Sequence, residues 1–355
     1  MNYKKSVLIF ILACSAMFIL VLFYYYNFSV KNLQNVNLIL YREATSSPGF
    51  YQLNLLNIDS NQERTIGTIT GSLAWSPDGH LVAFGCSKEG FHQICIVSAD
   101  EILNFVSQNV SLNHELSYLN KISLPKECKL DFLVTPTNEI QSISWSPDEK
   151  KLVVTCSNAV NESRICILDL SGDGKCWNKF QDGIARVLWI PTQNKILVSY
   201  GENLLRASIF MVSLDGEEAV PIATGWSPDI SPDGKKIAFF RWDDDAIWEN
   251  GKWKGPHVFP GIAVTDLITK QEEWLYRAPT SQKLEHLSIL PLCGELHSGT
   301  CRLGWSPDGQ SIVFSAKYAD GYIWKIFQLN VLTKEIKSLT DSSAGNFQSE
   351  PEWKP

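Results

Sequence analysis

A five-residue phrase, Trp-Ser-Pro-Asp-Gly, recurs along this chain and constrains its fold more than any other feature of the sequence. Complete or nearly complete copies begin at Trp75, Trp145 and Trp305, altered copies begin at Trp189 and Ile230, and a shortened copy begins at Trp353. These positions are 41 to 75 residues apart, and an apolar run follows each of the first five at a fixed offset. Repetition of this kind predicts a repeat protein in which each copy marks one structural unit.

The phrase has the chemistry of a tight turn between two strands. Proline presets φ near about −65°, Asp offers a side-chain acceptor, and Gly can take positive φ. The turn residues of the three best copies are Pro77, Asp78 and Gly79; Pro147 and Asp148; and Pro307, Asp308 and Gly309. The Trp ends one strand, and three further strands follow before the next copy. Four antiparallel strands with evenly spaced turns predict a propeller blade, in which the recurring Asp caps its own turn.

Six copies predict an all-β, six-bladed propeller over residues 37–355. The C-terminal strand 348–353 is expected to join three strands near the N-terminus in one blade, which removes free sheet edges. The longer intervals predict insertions at 98–140, 241–260 and 279–301. The alternative is a seventh blade concealed in one of these insertions.

The copies of Trp-Ser-Pro-Asp-Gly followed by an Ile/Leu-x-Phe strand resemble the WD-like propeller repeat of TolB-type proteins over residues 37–355. The resemblance implies the fold. It implies no single activity, because the same repeat occurs in scaffolds, periplasmic binding proteins and the non-catalytic propellers of prolyl-oligopeptidase-like enzymes. Two expected departures from TolB are the lack of a preceding α/β domain and the presence of a membrane segment at the start.

Residues 1–26 are predicted to form an uncleaved membrane anchor. The run 6–26 is uncharged and apolar nearly throughout, and about 20 such residues span a bilayer. Lys4 and Lys5 place the N-terminus inside. The expected location is therefore the cell membrane, crossed once, with the propeller on the extracytoplasmic side. A linker, 27–36, can reach at most about 33 Å. The alternatives are lipoprotein processing at Cys14 and a cleaved signal peptide.

The cysteines outside this run are disulfide candidates, which is consistent with export. Cys86 and Cys95 lie on the second and third strands of one blade, and Cys156 and Cys166 occupy the matching places in the next, so each pair can bridge its hairpin. The remaining candidates are Cys293 with Cys301 and Cys128 with Cys176. Free thiols in a cytosolic protein are the alternative. No Cys-x-x-Cys pair occurs, so no metal site is predicted.

A search for catalytic motifs finds no Gly-x-Ser-x-Gly, no His-Glu-x-x-His and no phosphate-binding loop, and no cofactor is expected. The net charge of −7 comes without a basic stripe, so nucleic acid is not an expected partner. The candidate binding surface lies in the 241–260 insertion and consists of Trp242, Asp243, Asp244, Asp245, Trp248 and Trp253. Large aromatic side chains dominate binding surfaces, although these could instead cover the loop's own small core.

The sequence thus predicts a non-catalytic, membrane-tethered propeller that binds a protein or an envelope polymer through its insertion-bearing face. One alternative is a glycan-acting hydrolase or lyase with a site at the mouth of the central channel. Acidic side chains clustered there with strongly shifted pKa values would favour this enzyme. A purely structural subunit of a membrane complex is a further alternative.

Overall fold

The computed structural model describes most of the predicted propeller and no part of the predicted anchor. The described residues are 37–47, 49–88, 91–108, 118–124, 140–157, 163–180, 184–201, 207–241, 248–249, 252–253, 261–277, 289–290, 302–318, 324–340 and 348–355. The anchor 1–26, the linker 27–36, Cys14, Cys128, Cys293 and Cys301 lie outside them. Within these ranges, no helix has both the length and the apolar character needed to cross a bilayer.

The strands form six blades, named A to F. In chain order, blade A contains β1 (Leu38–Ala44), β2 (Tyr51–Asn57) and β3 (Gln62–Ile69); blade B contains β4 (Leu73–Trp75), β5 (Leu81–Lys88), β6 (Phe91–Ser98) and β7 (Asn120–Ser123); and blade C contains β8 (Ser142–Trp145), β9 (Lys151–Ser157), β10 (Ser163–Asp169) and β11 (Gly174–Trp177). Blade D contains β12 (Ile184–Trp189), β13 (Lys195–Tyr200), β14 (Ser208–Ser213) and β15 (Ala219–Thr224).

Blades E and F complete the ring. Blade E contains β16 (Trp226–Ile230), β17 (Lys236–Arg241), β20 (Gly261–Asp266) and β21 (Glu272–Tyr276), with a separate hairpin of β18 (Trp248–Glu249) and β19 (Lys252–Trp253). Blade F contains β23 (Leu303–Trp305), β24 (Ser311–Tyr318), β25 (Trp324–Asn330) and β26 (Ile336–Ser338), and the short β22 (Ile289–Leu290) pairs with β24. The last strand, β27 (Gln348–Trp353), pairs with β1 and completes blade A.

The innermost strands of the six blades contact one another in sequence, and β27 contacts β4, so the ring closes with six blades. Consecutive strands are antiparallel, which gives the ring two distinct ends. At one end, which we call the turn face, a turn joins the first strand of each blade to the second, and another joins the third strand to the fourth. The opposite end, with the other connections, is the insertion face. Residues 242–260 and 278–301 both leave blade E at the insertion face.

Among the described residues, the hydrophobic core consists of six clusters, each between two neighbouring blades. Five of them contain a repeat Trp from the later blade of the pair, and the cluster between D and E contains Ile230 instead. The indole Nε1 of Trp145 donates to the Ala74 carbonyl oxygen of blade B at 3.2 Å. The repeat Trp therefore packs between its own blade and the preceding one.

The repeated Asp caps its own turn, as predicted. In the Trp305 copy, Asp308 Oδ1 accepts hydrogen bonds from Ser306 Oγ at 2.6 Å and from the Gln310 backbone N–H at 2.9 Å. Ser306 Oγ in turn accepts the Ser311 backbone N–H at 2.8 Å. The turns at Asp78, Asp148 and Asp233 have the same bonds. The carboxylates are therefore part of the turns.

One predicted disulfide is present and one is replaced. Cys86 is bonded to Cys95 with Cα atoms 5.9 Å apart. Cys166 is bonded to Cys176, not to Cys156, so the predicted Cys156–Cys166 pairing is wrong. Cys156 is also disulfide-bonded, and Cys128 and Cys176 are not paired with each other. The reason is the fourth strand of blade C, which sets Cys176 directly opposite Cys166, whereas Cys156 lies opposite Arg164.

The predicted insertion 98–140 is not a single insertion. Its first part contains helix α1 (Ala99–Gln108), whose first turn is capped because Ser98 Oγ accepts the Glu101 backbone N–H at 3.1 Å. The fourth strand of blade B, β7, then lies inside the same range. Residues 99–119 therefore belong to a connection on the turn face, and residues 124–141 to one on the insertion face.

Candidate functional site

The predicted binding surface lies in the connection between β17 and β20 of blade E. The structure describes a short hairpin within it, whose register sets Trp248 opposite Trp253. Residues that face each other across a hairpin belong to the same side of the ribbon, so the two Trp positions are brought together. Trp242, Asp243, Asp244 and Asp245 lie outside the described residues.

A cationic and aromatic cluster lies where both insertions leave blade E. The guanidinium groups of Arg241 and Arg277 lie 5.5 and 4.9 Å from the ring centroid of Trp274. Arg241 also pairs with Glu272. Gly261 packs against Trp274 so closely that an added Cβ would lie 2.5 Å from the ring. The sheet therefore holds the ends of both insertions beside one aromatic side chain.

Two arginine side chains at the inner strands cross the central channel. Arg302 precedes β23 of blade F and donates to Ser72 Oγ at 2.6 Å and to the Gln141 carbonyl oxygen. These acceptors precede the inner strands of blades B and C, which lie across the ring from blade F. Arg302 therefore bridges the channel.

Arg186, in β12 of blade D, crosses the channel in another direction. It donates through Nη1 to the Leu303 carbonyl oxygen of blade F at 3.0 Å. Its Nη2 lies 3.1 Å from Glu352 Oε1 in blade A and 3.4 Å from Asp229 Oδ1 in blade E. Asp229 Oδ2 accepts the Trp305 backbone N–H at 2.7 Å. One guanidinium thus joins four of the six blades.

The closing strand β27 supplies acidic partners to Arg42, Arg186 and Arg302, the channel arginines. Glu350 lies 2.8 Å from Arg42 and 3.2 Å from Arg302, and none of these three side chains is more than 3% exposed. Glu350 has a φ of 51°, at the point where the pairing of β27 with β1 changes register. The strand that closes the ring therefore also compensates the charge in its channel.

Burial in the channel shifts several pKa values. It raises the pKa of Glu352 to about 7, although Arg186 acts in the opposite direction. It also raises the pKa of Asp229, again against Arg186. Burial lowers the pKa of Arg302 to about 10, although Glu350 opposes the shift. Glu352 and Asp229 keep 17% and 18% of their side-chain surface exposed, so both side chains are mostly buried.

These channel residues were not predicted from the sequence, although the repeat contains a signal for them. The position three residues before the repeat Trp or Ile is polar in every copy: Ser72, Ser142, Arg186, Ser227, Arg302 and Glu350. All six are buried. The position one residue before is acidic in two copies, Asp229 and Glu352. Because side chains alternate along a strand, both positions are on the face of the inner strand that the Trp does not occupy. Aligning the copies on the Trp therefore identifies a set of polar residues on that face.

No protein-family model matches this chain, and no curated protein matches its sequence. Solved structures do match. TolB from Acinetobacter baumannii aligns with a TM-score of 0.59 and 16% identity over 90% of this chain and 67% of that chain. A putative TolB from Agrobacterium tumefaciens aligns with a TM-score of 0.51 and 14% identity over 89% of this chain and 99% of that chain. An oligogalacturonate lyase in complex with manganese aligns with a TM-score of 0.50 and 14% identity over 84% and 73%.

These likenesses define the class: the protein has the fold of a TolB-like six-bladed propeller, as its repeat implied. At 14 to 16% identity they show the fold alone. The same architecture occurs in a lyase, so the fold does not select an activity. In the part of the chain that the structure describes, no three His, Cys, Asp or Glu residues are arranged to hold a metal ion.

Proposed function

We propose that this protein is a non-catalytic propeller, tethered to a membrane on the extracytoplasmic side, that binds a protein or a cell-envelope polymer through the insertion face of blade E. The observation that carries the proposal is that both insertions of blade E leave the sheet at this face, beside Trp274 and the two arginines that contact it, Arg241 and Arg277. The paired positions of Trp248 and Trp253 add aromatic residues to the same insertion. Aromatic and Arg residues dominate binding hot spots.

The direction of the tether supports this face as the one that meets the partner. Asn37, which precedes β1, lies on the turn face, where its backbone N–H and Nδ2 donate to the Asp59 carboxylate at 3.2 and 2.9 Å. Asn37, which follows the predicted linker 27–36, therefore places the start of the propeller on the turn face. A linker that reaches about 33 Å keeps this face near the membrane, and the insertion face then points away from it.

The arginines that cross the channel support a function at the surface of the propeller. Arg186 and Arg302 cross the channel and bind groups of the chain itself. A partner that entered the channel would have to break ion pairs whose members are nearly buried.

The test is site-specific photocrosslinking of the full chain in its native membrane. A photoreactive amino acid replaces Lys252 in the blade E hairpin or Ser171 on the turn face of blade C. We expect a crosslinked partner from position 252 and none from position 171. Replacing Trp248 and Trp253 by Ser should lower the crosslinked fraction by about tenfold or more if the pair is a hot spot. Leu119→Ser, an exposed apolar change on the turn face, is the matched control.

Equal crosslinking from both positions, or no effect of the double Trp substitution, would contradict the proposed face. In that case the partner binds elsewhere on the propeller. A chain recovered from the soluble fraction without its first 26 residues would instead contradict the tether and leave the binding face to be tested separately.

A second candidate, an enzyme acting on acidic glycans, is favoured by one observation. Glu352, with a pKa raised to about 7, lies 3.1 Å from Arg186, a combination suited to proton transfer beside an anionic substrate. The binding proposal is preferred because both groups already bind within the chain. Incubation with oligogalacturonate, followed by ultraviolet absorption of the unsaturated product, tests the enzyme. Turnover that Glu352→Gln abolishes would establish it.

A further inference from the structure

Two strongly exposed apolar residues occupy equivalent positions in neighbouring blades. Ile268 lies at the tip of the turn between β20 and β21 of blade E and is 77% exposed. Leu332 lies at the tip of the turn between β25 and β26 of blade F and is 89% exposed. They are the two most exposed large apolar residues among those that the structure describes. Both turns belong to the turn face.

The exposure of these tips is fixed by the backbone of each turn. The Asp266 carboxylate accepts the backbone N–H groups of Ile268 and Thr269, both at 2.8 Å. Asn330 Oδ1 accepts the Leu332 backbone N–H at 3.0 Å and that of the next residue at 2.8 Å. The side chain at each tip therefore points away from the blade unless these bonds break.

Each tip is followed after two residues by an exposed lysine, Lys270 or Lys334. Both lysines have positive φ, 59° and 63°, as the last residues of their turns. An apolar side chain at the end of a loop, with a lysine behind it, matches the layers of a membrane surface. The apolar group enters the acyl boundary while the ammonium group remains among the phosphates.

The position of the tether indicates that a lipid bilayer covers these two tips. Blades E, F and A are consecutive, and blade A contains a third copy of the same turn. The third copy has Asp59 at its tip, and Asp59 binds Asn37, at the end of the linker. Asn37, which follows the predicted linker, therefore lies in the same sector of the turn face as the two apolar tips.

We propose that Ile268 and Leu332 insert into the headgroup region of the membrane that carries the anchor, with Lys270 and Lys334 at the lipid phosphates. These contacts would fix the tilt of the propeller and hold the insertion face toward the extracytoplasmic space. The proposal depends on the tether of the proposed function but not on the identity of the partner.

The experiment uses the full chain in phosphatidylcholine nanodiscs. A ketone-bearing amino acid at Thr333, beside the Leu332 tip, or at Ser46, on the insertion face between β1 and β2, is coupled to a nitroxide. Power-saturation electron paramagnetic resonance then measures the collision of each label with oxygen, which concentrates in lipid, and with a water-soluble nickel chelate. We expect a severalfold higher oxygen-to-nickel ratio at Thr333 than at Ser46.

Variants connect this result to the two apolar tips. Ile268→Ser with Leu332→Ser should lower the ratio at Thr333 to near the Ser46 value. Val220→Ser, which changes an exposed apolar residue on the outer strand of blade D, should leave the ratio unchanged. Circular dichroism of each variant verifies folding, because substitutions at such exposed positions have little effect on stability.

The outcomes separate this proposal from the tether. Equal ratios at Thr333 and Ser46 in chains that remain in the nanodisc would overturn the membrane contact and leave the tether intact. Poor access of both oxygen and nickel to Thr333 would show that protein covers the tips, which also overturns it. A chain that elutes without lipid would refute the tether, and this proposal with it.

Discussion

Glu350→Gln should strongly destabilise the propeller, because Glu350 is the carboxylate that Arg42 and Arg302 share at 2.8 and 3.2 Å. Glutamine keeps the shape of the side chain and removes its charge. Both guanidinium groups then remain buried with less compensation. Removing one partner from a buried ion pair costs about 3–5 kcal/mol. Glu352, 4.0 Å from Arg302, compensates a part of this cost, so we expect the free energy of unfolding to fall by about 3 kcal/mol or more.

The control is Glu218→Gln, which removes the partner of Lys195 from an exposed pair 3.6 Å long. Exposed ion pairs contribute about 0–1 kcal/mol, because water screens both charges. Urea unfolding of the full chain in detergent, followed by Trp fluorescence under oxidising conditions, measures both variants. Adding Arg302→Met to Glu350→Gln should give a loss smaller than the sum of the single losses by about 0.5–3 kcal/mol. Equal losses for Glu350→Gln and Glu218→Gln, or strict additivity, would refute the reasoning.

The remaining predictions concern the channel pH response, the disulfides and the Trp packed between blades. Folding raises the pKa of Glu352 from 4.5 to about 7, so the stabilisation linked to its bound proton is complete below about pH 4.5 and disappears as pH rises through about 7. Urea unfolding at several pH values should therefore show the wild-type free energy of unfolding falling relative to that of Glu352→Gln over this interval. Non-reducing peptide mapping of membrane-derived protein should recover Cys86–Cys95 and Cys166–Cys176, and free thiols would contradict export. Trp305→Ala should lower the free energy of unfolding by about 3–5 kcal/mol in the same assay, because it removes the indole that fills the space between blades E and F. A loss below about 1 kcal/mol would contradict that role.

The features that sequence predicted correctly depend on contacts between near neighbours in the chain. The Asp308 cap joins groups two residues apart. Hydrogen bonds over so short a stretch of chain are the same in any blade, so the repeat alone was sufficient to predict the turns. The number of blades followed from counting the copies, because each copy can bury its apolar strands only against its neighbours.

The disulfide of blade C shows where this local reasoning ends. Cys156 and Cys166 occupy places equivalent to Cys86 and Cys95, and the register sets both pairs diagonally across their hairpins. Sequence equivalence could not show that the fourth strand would bring Cys176 opposite Cys166. The choice between two neighbouring sulfurs depends on the register of the whole sheet.

The sequence by itself determined the turn, the blade and the number of blades, because these depend on local geometry and on apolar periodicity. Only the tertiary structure determined which side chains cross the channel and at which face of the propeller β1 begins. Arg186 donates to a residue 117 positions away and Arg302 to one 230 positions away. Such partners meet only after six blades have closed the ring, because the channel exists only in the complete propeller.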